Sequence, residues 1–377
     1  MTDLVVISLE AWDGVWRRNQ HLVSRLLDAD PHLRVLFVEP VADPLHDVRS
    51  GRHPRFGRGV RERADVQPRL WTLQPLKLLP RRVDLWADKR FARTVARAAR
   101  RIGMARPVLW VNDPGAAETS RVTGWPTLYD ITDDWAVADR GARQQQRVVA
   151  GERYLLHHAT DVVACSAELV ARKSPSRPQG SPPIELIPNG VDVAAYRRPS
   201  SRPEDLPPGK TAVYVGTLHS DRLDVDLCVK TAQALGAEVS IVLVGPNLLG
   251  DAATGRLRDA GVVLLGAKPH EQVPPYLQHA DALIVPHLVN EFTDSLDPIK
   301  LYEYQAAGRP VVATAVAGFR GADQVAIAAG DEFAWTTLRA SSGHAGVPDR
   351  LLPEAPDWSL RARAFHTRLV RLWAEAT

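Results

Sequence analysis

Short runs of aliphatic and β-branched residues recur along the chain, each followed by a stretch of helical length. A first series reads LVVISL (4–9), RVLFVE (34–39), PVLWVN (107–112), PTLYDI (126–131), DVVACS (161–166) and IELIPN (184–189). A second reads TAVYVGT (211–217), VSIVLVG (239–245), VVLLG (262–266), DALIVP (281–286) and RPVVAT (309–314). Unbroken apolar runs, rather than alternation, mark strands covered by helices on both faces. They predict parallel strands in doubly wound α/β sheets, and two series predict two Rossmann-like domains. A length of 377 residues suits that number.

The break between the series falls at RRPSSRPEDLPPGK (197–210), which has four prolines and little that is apolar. The expected division is a first domain over 1–195, a linker over 196–210, a second domain over 211–350, and a helix in 351–377 that crosses back to the first domain. That helix, WSLRARAFHTRLVRLWAEA, spaces Trp358, Leu360, Phe365, Leu369 and Trp373 for packing. The interval 40–106 is less regular. RSGRHPRFGRGVRERADVQPR (49–69) lacks periodicity and reads as a mobile surface loop. PLKLLPRRVDLWADKRFARTVARAARRIG (75–103) reads as an amphipathic basic helix ending at Gly103.

Composition narrows the class. Nothing approaches the ~18 consecutive apolar residues of a membrane span. The opening MTDLVVISLEAWDG reads as a retained first strand rather than a leader. Cys165 and Cys228 lie far apart in apolar elements, so they read as buried thiols in a reducing, cytoplasmic compartment. The net charge of +3 hides an imbalance: residues 49–106 hold 17 Arg or Lys against 4 Asp or Glu, 17 − 4 = +13. Solvated arginines on helices explain that as well as an anionic surface or ligand does.

The stretch richest in chemistry is DPIKLYEYQAAGRPVVAT (297–314). Asp297 stands where a helix N-cap belongs, Pro298 at the first helical position, and Gly308 at the stop, so a helix is predicted over 298–307. It precedes an apolar strand, so its amino end lies at the carboxyl ends of the strands, where open α/β sheets bind ligands. Helix amino ends favour phosphate. Lys300 and Glu303, three apart, share a face. The lysine suits a phosphate, and the carboxylate, with two acceptor oxygens, suits a ribose diol. An ion pair within the helix would use the same spacing.

This stretch resembles the donor-site segment of retaining GT-B glycosyltransferases, the glycosyltransferase family 4 type, which reads Glu-x7-Glu, small residues, Gly-x-Pro-Val-Val. Glu303 matches the second glutamate, which by resemblance grips the donor ribose; Ser295 stands where the first would be, with Asp294 and Asp297 as neighbouring acids. The backbone of Ser295, Asp297, Pro298 and Ile299 would meet the diphosphate. IPNGVD (187–192) resembles the hinge closing the first domain, and VYVGTLHSDRLDVDL (213–227) the glycine turn opening the second, with Gly216 in the turn, Arg222 in place of a phosphate-clamping base and His219 orienting the acceptor. WDGVWRRNQHLVSRLL (12–27), with Gly14 and Arg18, resembles the first-domain loop facing donor phosphate and acceptor, and YDITDDW (129–135), with Asp133, a segment bordering the acceptor cleft.

The resemblance implies a GT-B fold with two facing domains and metal-independent transfer of a hexosyl group from a nucleotide-sugar donor. It implies no cofactor and no nucleic acid. The acceptor would be a small molecule or a lipid-linked glycan, the latter with the basic band resting on an anionic leaflet. Binding of a nucleotide sugar without transfer, or coupling of other substrates, is the alternative that Ser295 keeps open. Other signatures fail. PPGKT (207–211) mimics a P-loop ending, but Glu204 occupies its first glycine position. No Gly-x-Gly-x-x-Gly follows the first strand, and no Gly-x-Ser-x-Gly occurs. His157 and His158 read as a helix end, and Asp224 and Asp226 as solvated acids at a helix start.

Overall fold

The computed structural model describes all residues but 1, 50–52, 82, 138–140, 292, 296, 344–355 and 377. By contacts the chain divides into a first unit, residues 1–13, 18–188 and 359–377, and a second unit, residues 14–17 and 189–358.

The first unit holds β1 (Thr2–Ile7), β2 (Leu33–Val38), β3 (Arg61–Glu62), β4 (Leu70–Leu73), β5 (Val108–Val111), β6 (Thr127–Ile131), β7 (Asp161–Ala164) and β8 (Glu185–Leu186). They form one sheet in the order β3-β4-β2-β1-β5-β6-β7-β8, parallel except for the β3–β4 pair. The second unit holds β9 (Thr211–Val215), β10 (Ser240–Val244), β11 (Val263–Gly266), β12 (Ala282–Val285), β13 (Val311–Ala313) and β14 (Val325–Ile327), a parallel sheet ordered β11-β10-β9-β12-β13-β14. Each sheet winds outward both ways from its first strand, the doubly wound Rossmann-like arrangement. In the second unit the winding reverses between β9 and β12.

Every apolar run read as a strand is one. The central strands are buried along almost their whole length, as two-sided helix cover requires. The sequence missed β4, β14 and the short β3. Residues 49–69 read as a mobile surface loop, but Arg61 pairs with Thr72 and Glu62 with Trp71. The basic helix starts later than anticipated, at Ala87, and ends at Arg101, with Gly103 at φ +78°. Its Ala92, Val95, Ala98 and Ala99 pack inward.

The expected linker 196–210 groups with the second unit. Tyr196 and Leu206 are buried in its core, and the division falls at Pro188/Asn189. The last helix, Trp358–Ala376, contributes residues 359–377 to the first unit. Phe365 packs on Trp110 at 4.8 Å and the Trp373 indole donates to the Asp3 carbonyl at 2.9 Å. Leu360, expected inward, is exposed, because the buried stripe runs through Ala362, Phe365, Leu369 and Leu372. Residues 344–355, which precede it, lie outside the described residues. No helix among the described residues is long and apolar enough to cross a membrane.

A buried polar network ties the first sheet to its first helix. Asp130, on β6 and fully buried, accepts from Arg18 Nε at 3.0 Å, Arg18 Nη2 at 3.2 Å, the Trp110 indole at 3.2 Å and Asn112 at 3.0 Å. Arg18 Nη2 also donates to the Ile187 carbonyl at 2.8 Å. Removing one member of such a pair strands the other charge out of water. Arg18→Leu should therefore destabilise the first unit by about 3–5 kcal/mol, read as a lower denaturant midpoint for that unit's unfolding transition.

Candidate functional site

The candidate site lies at the carboxyl ends of β9 and β12, at the winding reversal of the second sheet. The helix Ile299–Ala307 brings Lys300 and Glu303 there. It begins one residue later than the sequence suggested, with Pro298 at the cap position, and Gly308 closes it in the left-handed conformation at φ +65°. Tyr304 pins the helix to the sheet: its hydroxyl accepts from the Val215 amide at 2.9 Å and reaches the Ile284 carbonyl at 3.5 Å. That phenol is fully buried, so its hydrogen bonds count strongly.

Lys300 Nζ donates to the Tyr214 hydroxyl at 3.1 Å and lies 3.4 Å from His287 Nε2. It also sits 4.6 Å from the Tyr214 ring centroid, a cation–π distance. The Tyr214 hydroxyl is 3.1 Å from His287 Nε2. Tyr214 and His287 are buried, so the ammonium rests on neutral groups rather than on an acid. Burial is the main force lowering the Lys300 pKa to about 7, the positive charge of Arg222 adds to it, and Glu303 opposes. Burial likewise drives His287 well below its usual range, with Lys300 and Arg222 reinforcing, so its ring is neutral. The alternative reading of this spacing, a Lys300–Glu303 ion pair, is met only electrostatically, and the lysine's hydrogen bonds go to Tyr214 and His287.

Glu303 Oε1 accepts from the Tyr196 hydroxyl at 2.7 Å. Burial raises the Glu303 pKa, against the Tyr196 hydrogen bond and the Lys300 charge. Tyr196 comes from the helix Val193–Arg197, whose N-cap Asp192 accepts from the Ala195 amide at 3.2 Å.

Two glycines let the backbone close in. At Gly216, φ is +157° and a Cβ would stand 2.7 Å from the Tyr214 hydroxyl and 3.0 Å from Lys300 Nζ. At Gly245, φ is +148° and a Cβ would stand 2.1 Å from the Gly216 carbonyl oxygen. Side chains at either place would push into the site.

Several sequence candidates fall elsewhere or serve otherwise. Asp297 does carry hydrogen bonds, but from Asn189 N–H at 2.5 Å and the Tyr302 hydroxyl at 2.5 Å. The Asp297 carbonyl also accepts from Asn189 Nδ2 at 2.6 Å. So this aspartate ties the IPNGVD turn to the helix start. Asp294 pairs with Arg320 at 2.6 Å. Ser295 ends the 3-10 turn Thr293–Ser295, and its side chain lies outside the described residues. Pro298 packs where a Cβ on Gly318 would meet it at 2.6 Å, and Ile299 is half-buried at the first helical position.

Arg222 sits in the turn after β9, its carbonyl accepting from the Leu288 amide at 2.7 Å, which holds it beside the loop after β12. His219 precedes it, its Nδ1 2.7 Å from Asp221. Asp133 follows β6 in the first unit, half-buried. Arg18 was expected on a phosphate; the Asp130 network engages it instead. Gly14 was expected with the first domain, but Gly14–Arg17 groups with the second unit. There the Gly14 carbonyl accepts from the His270 amide at 2.7 Å, Trp16 stacks on His270 at 3.9 Å, and Arg17 Nη2 donates to Thr217 Oγ1 at 3.2 Å. Sequence reasoning missed Arg17, Tyr196, Tyr214 and His287. The tyrosines and histidine sat in or beside apolar runs, where they read as core. Among the described residues no group of three His, Cys, Asp or Glu could hold a metal ion.

Residues 209–340 match the family model described as Glycosyl transferases group 1. Over 220 residues the chain is 24% identical to TuaH of Bacillus subtilis (strain 168), a glycosyltransferase provisionally assigned to teichuronic acid biosynthesis. The chain spans about half the length of that relative, 55%, and 55% of this chain is aligned. Among solved structures it resembles a sucrose-phosphate synthase from Thermosynechococcus elongatus, at TM-score 0.68 and 17% identity over the whole of both chains. It also resembles HepE of Anabaena in complex with UDP, at TM-score 0.57 and 15% identity over 99% of this chain and 97% of that one. A third likeness is a trehalose-phosphate synthase from Burkholderia xenovorans in complex with glucose-6-phosphate, at TM-score 0.61 and 13% identity over 98% of this chain and all of the other. The shared fold is GT-B, two Rossmann-like α/β domains.

Since the Tyr196 hydroxyl favours the ionised carboxylate, Tyr196→Phe should raise the Glu303 pKa further. Carbon-13 NMR titration of the glutamate carboxyl checks it.

Proposed function

We propose that this chain transfers a sugar, of the hexosyl kind, from a nucleoside-diphosphate donor to an acceptor hydroxyl, with retention at the anomeric carbon and without a metal ion or other cofactor. One observation carries the reading. Lys300 and Glu303 lie one helical turn apart at the strand ends, the first a cation held by neutral partners, the second a carboxylate with one oxygen on Tyr196. A pyrophosphate suits the former and a ribose diol the latter. The family match over 209–340 and the glycosyl-transfer activities in the relatives' names support it. Neighbours solved with UDP and with UDP-glucose make a nucleotide sugar the natural donor class.

In this reading the bond between the anomeric carbon and the β-phosphate oxygen breaks. The acceptor oxygen joins the same face of the sugar, and the departing phosphate takes its proton, so no separate base is needed. Charge gathering on the phosphate is met by Lys300, by Arg222, and by backbone N–H groups of Ser295 and Ile299, each worth roughly 2.7–4 kcal/mol at the transition state by analogy with oxyanion-hole donors. Gly216 gives the diphosphate room to approach backbone, and Asp297 and Pro298 hold the turn that aims those amides. His219 and Asp133 are the proposed acceptor-orienting groups. The acceptor is a small molecule or a lipid-linked glycan, and the compartment is the reducing cytoplasm, in keeping with the free, buried Cys165 and Cys228. Ser295 in place of an acid favours a second reading: binding of a nucleotide sugar without transfer, or coupling of non-sugar substrates. Calorimetric donor binding with no product across an acceptor panel would select it.

Two outcomes test the donor site. Glu303→Ala should weaken nucleotide-sugar binding about 10- to 100-fold, the loss of charged hydrogen bonds to the ribose; unchanged affinity by calorimetry removes Glu303 from the site. The pH dependence follows from Lys300. Its pKa of about 7 should rise when a diphosphate diester binds, so binding takes up protons above that pH. Affinity should fall as pH rises from 7, by at most about tenfold per unit, with Tyr214, His287, Arg222 and Glu303 the groups facing the lysine. Lys300→Met should bind more weakly and lose that dependence.

A further inference from the structure

Ten of the twenty strongly exposed large apolar side chains among the described residues fall between residues 45 and 86, about a ninth of the chain. Leu45 and Val48 follow β2, Phe56 precedes the antiparallel β3 and Leu76 to Trp86 follow β4, so all but Val66 lie beyond the carboxyl ends of β2 and β4. Leu76 bridges to Ala42, Lys77 pairs with Asp43, and Gly57, next to Phe56, lies against Leu76. The chain then runs through Leu78, Leu79 and Val83 to Leu85 and Trp86, and straight into the helix Ala87–Arg101. Leu85 is 85% exposed, Phe56 67% and Trp86 59%. Side chains this apolar are seldom left this open without a partner surface.

The helix that follows supplies the second half of the pattern. Its alanine and valine face is buried, while Lys89, Arg93, Arg97, Arg100 and Arg101 recur every three or four residues on the outer side. Arg93, Arg97, Arg100 and Arg101 are exposed. The stripe extends about 20 Å at 1.5 Å per residue. Nearer the apolar tract, several basic groups are spent internally: Arg81 and Arg147 on Asp88, Arg90 on Asp84, Arg55 on Asp47. Five of the 17 Arg or Lys of residues 49–106 stand on this one helix stripe.

We propose that this surface seats on an anionic lipid bilayer, with Phe56, Leu78, Leu79, Val83, Leu85 and Trp86 entering the headgroup region and the arginine stripe lying along the headgroups. Apolar side chains with an aromatic at the edge suit the depth of the interface, and cations beside them suit acidic lipid. A second copy of this chain fits poorly, because two surfaces of the same sign would meet. The placement does not depend on what reaction the second unit performs.

The test is co-sedimentation of the full chain with phosphatidylcholine vesicles, with and without phosphatidylglycerol. The wild type should bind only the anionic vesicles and release as salt rises, since the contact is screened within ~10 Å at 0.1 M. Leu85→Ser with Trp86→Ser should weaken binding about tenfold or more. Arg93→Glu with Arg97→Glu should weaken it at least as much, about fivefold per cation removed. All four positions are exposed, and circular dichroism melting confirms that both variants fold. No binding to anionic vesicles, equal binding to neutral ones, or binding retained by both variants overturns the proposal. So does light scattering that finds a wild-type dimer broken by Leu85→Ser with Trp86→Ser, which gives the surface to a second copy.

Discussion

The ammonium of Lys300, held against the Tyr214 hydroxyl and the neutral ring of His287, is the interaction on which the second unit's site depends. Drawing a cation away from water costs free energy unless an opposite charge offsets it. Here the opposing carboxylate, Glu303, makes its hydrogen bond to Tyr196, and Arg222 adds charge of the same sign. The lysine itself is therefore matched by neutral partners, while Arg222 has Asp221 at 3.7 Å. An arriving diphosphate would offset the cost of burying the lysine, which is the electrostatic form that a preorganised anion site takes. Burial first, and the Arg222 charge second, lower the lysine pKa to about 7.

Holding these groups in place takes the whole upper edge of the second sheet. Tyr304 fastens the helix to β9 and β12, Thr314 accepts from the His287 amide at 3.2 Å and donates to its carbonyl at 2.7 Å, and Asp297 fastens the helix start to Asn189. The Gly216–Gly245 approach brings the two strand ends together where any side chain would keep them apart. Apart from the Asp297 carboxylate, each of these is a hydrogen bond between neutral groups or a missing Cβ. Tyr304, Thr314 and the two glycines thus add rigidity without adding charge.

The first unit uses its acids in the opposite way. Asp130 is matched by Arg18, and Lys173 donates to Asp134 at 2.6 Å and to Glu152 at 2.9 Å. Burial works against the Lys173 charge, yet Glu152 and Asp134 outweigh it and leave its pKa raised. Fully matched buried charges fix the geometry of the strand ends but offer little to a ligand. That is why the acid-rich YDITDDW stretch is largely architectural, and why Arg18, legible as a loop cation, serves the core.

By itself the sequence determined the class of fold and the address of the candidate site. Two series of unbroken apolar runs admit little besides two parallel sheets, because only strands covered on both faces can shed every polar position. Asp-Pro, Lys300, Glu303 and Gly308 marked a helix whose amino end must face the strand ends, since the next strand has to run parallel to the others. Strands of two to four residues, such as β3, β4 and β14, were too short or too polar to show a period. The tertiary structure alone decided which charges are matched. Whether an arginine meets a phosphate or an aspartate, and whether a tyrosine is core or hydrogen-bonds a glutamate 107 positions away, depends on side chains brought together from distant parts of the chain. Local spacing carries no record of such neighbours, and burial, which sets their pKa values, exists only once the chain has folded.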